Sequence, residues 1–240
     1  MHALSHLDIA AAVWFLVAWF GFNLIVDVSP LRTKTLSSVM DTYRREWMIS
    51  MCQREVRIMD TAIMAGLQQG TAFFASTALL AIGGGFALLE ATDRIVQIAG
   101  DLSIPVESSR TLWEIKVLGL MLIFAYSFFK FGWAYRLFNY ASIVMGAVPE
   151  QGAADDDKIR EMALQAGALN MLAGQHFNRG QRALFFAIGF LGWFAGPFMF
   201  ASTTLAVLLV LLRRQFASRS RAAVLSGQYP NLASPDRSGE

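Results

Sequence analysis

The chain has 240 residues, of which 55% are hydrophobic and only 16% charged, with a formal net charge of +2. A soluble domain carries about 25% charged residues, so this composition argues against a water-solvated exterior and for an all-α membrane bundle. The single cysteine, Cys52, excludes an intramolecular disulfide framework and any multi-cysteine metal site.

The first apolar run covers residues 7–27, with Asp8 at its edge and Ser29-Pro30 closing it. About 20 helical residues at ~1.5 Å each match a hydrocarbon core of ~30 Å. No Lys/Arg-rich segment precedes the run, so a cleaved signal peptide is not expected.

Residues 34–62 differ in kind. Val39, Met40, Tyr43, Trp47, Met51 and Ile58 recur mostly at three- and four-residue steps among arginines, which predicts one uninterrupted amphipathic helix. It leads into a second span at 68–91, where Gly83-Gly84-Gly85 permits close helix approach or bending. A loop over 93–110 follows, with Pro105 and Ser108-Ser109 marking a break and a helix start.

The third apolar run begins at 111 and is too long for one span, so it is expected to cross by about 135 and project beyond the bilayer. An acidic turn at 153–157 opens a second amphipathic helix, 157–178. The fourth run, 183–212, is divided by Gly196-Pro197 and reads either as one kinked span or as a hairpin. Loops rich in Lys/Arg stay cytoplasmic, which places the N-terminus outside. Only a hairpin then returns Arg213, Arg214, Arg219 and Arg221 to the cytoplasm, and it is the preferred form. Residues 1–219 form one transmembrane domain, and 220–240 are expected to be a disordered tail.

Several motifs, in order, carry a family resemblance. They are DIAAAVWFLVAWFGFNL before a Ser-Pro, YRREWM with REVRIMDT, SFFKFGW with FNY, and HFNRGQRALFF. Across roughly residues 7–219 the chain resembles a bacterial and plant membrane family catalogued as domain of unknown function 599. The resemblance implies a multi-span membrane protein and carries no activity or catalytic residue; the expected location is a bacterial inner membrane.

Two sets of polar residues stand out. Gln68, Lys130, Arg54, His176, Asn178 and Arg179 are candidate pore or anion/headgroup contacts, the last four converging on a basic cytoplasmic vestibule. The plainer alternative for Lys130 is a lysine that snorkels to the headgroups, and for the arginines an ion-pair and lipid-headgroup network. Asn23, Asp27, Asp60 and Asn139 read as polar residues that glue helices together. Glu114 and Lys116 read as interfacial charges.

No G-x-S-x-G, HExxH or P-loop motif occurs, and His6 and His176 fall at opposite faces, so neither an enzyme nor a metal or other cofactor is expected. The expected function is a homo-oligomeric channel-like or transport protein. The alternative is a non-catalytic scaffold or accessory subunit that binds other membrane proteins or anionic lipids. Nucleic acid is not an expected partner.

Overall fold

The computed structural model describes residues 5–94, 110–150, 152–153 and 155–226. Seven helices make up the described chain: α1 (His6–Asp27), α2 (Leu36–Met51), α3 (Ile58–Glu90), α4 (Arg110–Ala147), α5 (Asp156–Leu191), α6 (Pro197–Phe216) and α7 (Arg219–Ser226). Short 3₁₀ turns at Pro30–Lys34 and Gly192–Ala195 join α1 to α2 and α5 to α6. Four helices, with α6 continuing through α7 as one, are long and apolar enough to cross a membrane, and they fit a membrane protein.

The ends of α1 define the two ends of the bundle. At the first, Ser5 caps the helix: its hydroxyl accepts from the Asp8 N–H, and the Asp8 carboxylate accepts from the Ser5 N–H. At the other end α1 stops at Asp27, where α2 begins its packing against α5. Contacts step backward along α4 as they advance along α3: Gln68 meets Asn139, Phe74 meets Phe131, and Gly85 lies against Met121. The two helices are therefore antiparallel. The same holds for α4 and α5, where Ser127 donates to the Gly180 carbonyl and Gly119 faces Phe190.

The fourth apolar run takes the hairpin form. Gly196 has φ 113°, a left-handed-side conformation that L side chains rarely adopt, and Pro197 supplies the first residue of α6. The chain reverses there, and α6 returns along α5. Gly189 and Gly192 allow the approach: a Cβ on Gly192 would stand 2.2 Å from Thr203 Oγ1, and one on Gly189 would stand 3.4 Å from Thr204 Cα. Thr203 Oγ1 donates to the Gly189 carbonyl across this contact.

Two cores hold the elements. Toward the Asp8 end, Phe15, Phe22, Phe186, Phe190, Trp193 and Phe200 interlock between α1, α5 and α6. Trp193 and Phe200 stack at 5.0 Å, and Phe15 meets Phe190 edge-on at 5.4 Å. Such pairs contribute about 0.5–1.5 kcal/mol each beyond area burial, and packing of this kind is what joins helices where lipid offers no hydrophobic gain. Beyond the Asp27 end, Met48, Met51, Met64, Phe138, Met145 and Ile159 form a second core between α2, α3, α4 and α5. The 38 residues of α4 span ~57 Å, roughly twice a hydrocarbon core. Its excess length is what this methionine-rich core covers.

Three expectations need correction. The helix expected over 34–62 is broken at 52–57, although no glycine or proline lies there. Instead Arg57 donates to the carbonyls of Val148 (2.7 Å) and Pro149 (2.9 Å), which fixes the chain against the end of α4. The amphipathic helix 157–178 does not end before the last apolar run but continues unbroken to Leu191. At the C-terminus, α7 is helical and docked, with Tyr43 Oη donating to the Val224 carbonyl and Arg221 to that of Lys34. Residues 220–226, expected in a disordered tail, are therefore helical. Residues 227–240, and most of the loop expected at 93–110, lie outside the described residues.

Candidate functional site

A carboxylate at the C-terminus of a helix sits against the negative end of the helix dipole. Asp27 occupies that position on α1, and two arginines of α5 offset it. Arg179 Nε donates to Asp27 Oδ2 at 2.7 Å, and Arg182 Nη2 lies 2.9 Å from both carboxylate oxygens. Three residues apart, Arg179 and Arg182 share one face of α5. Arg182 is only 4% exposed, and its guanidinium lies over the Phe22 ring at 5.9 Å. Its Nε and Nη1 atoms are buried with no hydrogen-bond partner among the described residues.

Behind this cluster, α2 and α5 are joined by a second polar layer. Gln175 donates to Asp41 at 2.9 Å, and Arg44 donates to the fully buried Asn170 at 2.6 Å. Burial raises the Asp41 carboxyl above its ordinary range, against the lowering effect of Gln175, Arg44 and Arg32. Burial likewise lowers Arg44, partly opposed by Asp41.

Open space lies on both sides of the Asp27 cluster. Between α2, α5 and α6 is a cavity of about 180 Å³ with Asp41, Arg44, Asn178, Gln181, Arg182 and Arg214 in its wall. A small void of about 20 Å³, enough for one water, adjoins it at Asp27, Arg32 and Arg179. On the other side, a groove of about 440 Å³ runs between α1 and α4. Trp19, Phe20, Leu24 and Tyr126 give it apolar walls, with Lys130 and Arg179 at its polar end. Lys130 lies over the Tyr126 ring at 5.2 Å and has no carboxylate within ion-pair distance among the described residues.

The sequence-predicted residues divide among these places. Arg179 and Asn178 line the space around Asp27. Arg54 does not join them: it pairs with the fully buried Asp60, which also accepts from Trp47 Nε1 at 2.7 Å. Asp60 is thus a packing residue tying α2 to α3. His176 faces Trp133, with ring centroids 6.4 Å apart, and lines none of the cavities around Asp27.

Gln68 is bonded rather than free, donating to Asn139 Oδ1 at 2.8 Å and Ser142 Oγ at 3.1 Å, so it and Asn139 together join α3 to α4. Asn23 does not bond a neighbouring helix. It donates to the Trp19 carbonyl of its own α1, leaving its buried Oδ1 unpaired. Lys116, expected as an interfacial charge, is buried within the bundle, its Nζ 5.7 Å from the Trp193 ring.

Sequence reasoning passed over Asp41, Gln175 and Gln181, whose spacing on amphipathic helices resembles any solvated face. It also passed over the buried bond from Trp193 Nε1 to Asp8 Oδ1, 2.7 Å long. The Ser5-x-x-Asp8 spacing before an apolar run was the available signal, since it is a capping box.

Fold and site together define a helical protein of membrane type, with a buried arginine–carboxylate cluster where its apolar bundle meets its amphipathic extension. The family model described as a protein of unknown function, DUF599, matches residues 10–220, and the chain belongs to that family. No curated protein and no solved structure matches the chain.

Proposed function

We propose that this protein is a non-catalytic membrane protein that holds an anionic phospholipid in the groove between α1 and α4. The carrying observation is Lys130, a cation without a carboxylate partner among the described residues, at the polar end of an otherwise apolar groove. Phe20, Leu24 and Val28 on the α1 side are 63%, 60% and 72% exposed, a surface suited to an acyl chain. Lys130 and Arg179 in its wall face the single carboxylate of Asp27, which also pairs with Arg182 behind it, so the polar end favours an anion. The basic residues of α2 and α5 cluster at the Asp27 end, which supports a cytoplasmic position for that end and an outside N-terminus.

Lipid exchange into the purified protein tests the reading. The wild type should retain an anionic phospholipid over phosphatidylcholine. Lys130→Ala should weaken that preference about fivefold, from the ~1 kcal/mol a lysine near the surface contributes. Equal retention by both proteins would remove the groove from consideration. For orientation, a Ser226→Cys label with Cys52 replaced should react only from the cytoplasmic side.

A second reading, the homo-oligomeric channel, draws on α3. Gly66, Gly70, Gly83 and Gly84 face open space, and Gln69 is exposed beside them, which leaves a face free for another copy. Phe22, Phe131 and Phe186 fill the interior of the single chain, so a conducting path would run between copies. Disulfide capture through Gly70→Cys, followed by liposome ion flux, tests it. Stoichiometric copurification with a different membrane protein, without flux, would favour an accessory subunit.

A further inference from the structure

The cavity between α2, α5 and α6 shares no lining residue with the lipid groove; only the small void beside it touches Asp27 and Arg179, which the groove also reaches. With the small void beside it, its wall carries five arginines (Arg32, Arg44, Arg179, Arg182 and Arg214) against two carboxylates, Asp27 and Asp41. Asp27 is already shared by two of the arginines, and Asp41 accepts from Gln175. The positive charge therefore exceeds what the fold neutralises.

Donors without partners are present in the same wall. Arg182 has two unpaired nitrogens, Nε and Nη1, although it is nine-tenths buried and more. The side-chain amides of Asn178 and Gln181 bond to no described residue. Arg214 rests on the Phe185 ring at 5.2 Å with no ion-pair partner among the described residues, and it is exposed, so the cavity is reachable from water. Leaving a buried guanidinium nitrogen unpaired is unfavourable. An occupant that supplies acceptors would relieve it.

We propose that this cavity is a binding site for a phosphate-class oxyanion. Forked guanidinium groups and amide N–H donors match a polyoxygen anion, whose several oxygens accept in different directions, better than a spherical halide. Arg214 and Asn178 form the accessible part of the site, and Arg182 forms its floor beside Asp27. The phosphoryl group can arrive as free phosphate or as a lipid headgroup. This proposal stands without the lipid groove, because Lys130 takes no part in it.

The test uses the full-length purified protein and the double variant Arg214→Ala/Asn178→Ala. Neither residue makes an ion pair within the described fold, so the variant should elute and melt like the wild type. Inorganic phosphate is titrated into delipidated protein in detergent, with chloride as the control anion. Separately, phosphatidic acid in phosphatidylcholine nanodiscs is tested for retention. A free anion predicts saturable phosphate binding, weakened about tenfold or more in the double variant from loss of charge-assisted hydrogen bonds, with phosphatidic acid not competing.

A headgroup ligand predicts weak phosphate binding but selective phosphatidic acid retention, lost in the double variant and kept in Lys130→Ala. Either pattern supports the site. If the double variant binds phosphate and phosphatidic acid as the wild type does, or if chloride binds equally well, the proposal is overturned. Loss of lipid retention in Lys130→Ala alone speaks only to the groove.

Discussion

Arg182 Nη2 lies 2.9 Å from both oxygens of Asp27, joining the last residue of α1 to a position 155 residues further along the chain. The pair sets where the first and last parts of the bundle meet. It also forms the partition between the groove on one side and the basic cavity on the other.

Breaking that pair from one side should be severe. Asp27→Ala leaves Arg182, 5% exposed at its side chain, without its carboxylate. The expected loss is about 3 kcal/mol, the lower end for a buried pair since Arg179 is one-third exposed. Replacing both members, as Asp27→Leu/Arg182→Met, should recover part of the loss. Equilibrium unfolding in detergent measures both, and a double variant no better than the single would contradict the pairing.

At the opposite end, Asp8 both caps α1 and accepts the Trp193 indole N–H. Asp8→Ala should destabilise by about 2 kcal/mol, through the lost cap and an orphaned buried donor. Asp8→Asn keeps one side-chain oxygen, which can accept from either the Trp193 indole or the Ser5 N–H but not both, and should lose less than Asp8→Ala. Comparing their unfolding midpoints checks the dual role, and equal losses would argue against it.

The hairpin depends on two glycines for different reasons. Gly196→Ala forces a side chain into φ 113°, while Gly192→Ala drives a Cβ into Thr203 Oγ1 and the Met199 backbone. Each should cost about 1–3 kcal/mol, the first as backbone strain and the second as overpacking. Gly132→Ala, which meets open space, is the control and should melt no lower than the wild type. A similar melting temperature for Gly192→Ala would mean that α6 does not lie this close to α5.

His176 predicts a dependence on pH. Burial, then Lys130 and Arg179, lowers its pKa in the fold, and its buried Nδ1 has no partner among the described residues. With the folded value below the unfolded value of about 6.5, the unfolded chain binds the proton first as pH falls. Stability should therefore drop between pH 7.5 and 5.5 in the wild type, and less in His176→Gln. Asp41, raised in the fold, acts with the opposite sign but is common to both proteins, so it cancels in the difference. Parallel pH curves for the two would refute the assignment.

Much of the architecture was legible because it is written locally. Apolar runs of spanning length marked α1, α3, α4 and α6, and charge distribution with Gly196-Pro197 favoured the reversal that the structure contains. The break at 52–57 was not legible, because it is imposed by Arg57 reaching the carbonyls of Val148 and Pro149, about ninety residues away. The helical class and its apolar segments thus followed from the sequence alone, since hydropathy and helix periodicity depend only on neighbours along the chain.

Tertiary structure alone decided which charges meet. It placed Arg54 on Asp60, both arginines of α5 on Asp27, and Gln68 on Asn139, and it separated His176 from the cavity. The physical reason is register. A polar residue on a helix has several neighbours within reach, and only the packing of Phe15, Phe186 and the interhelical glycines fixes which turn faces which.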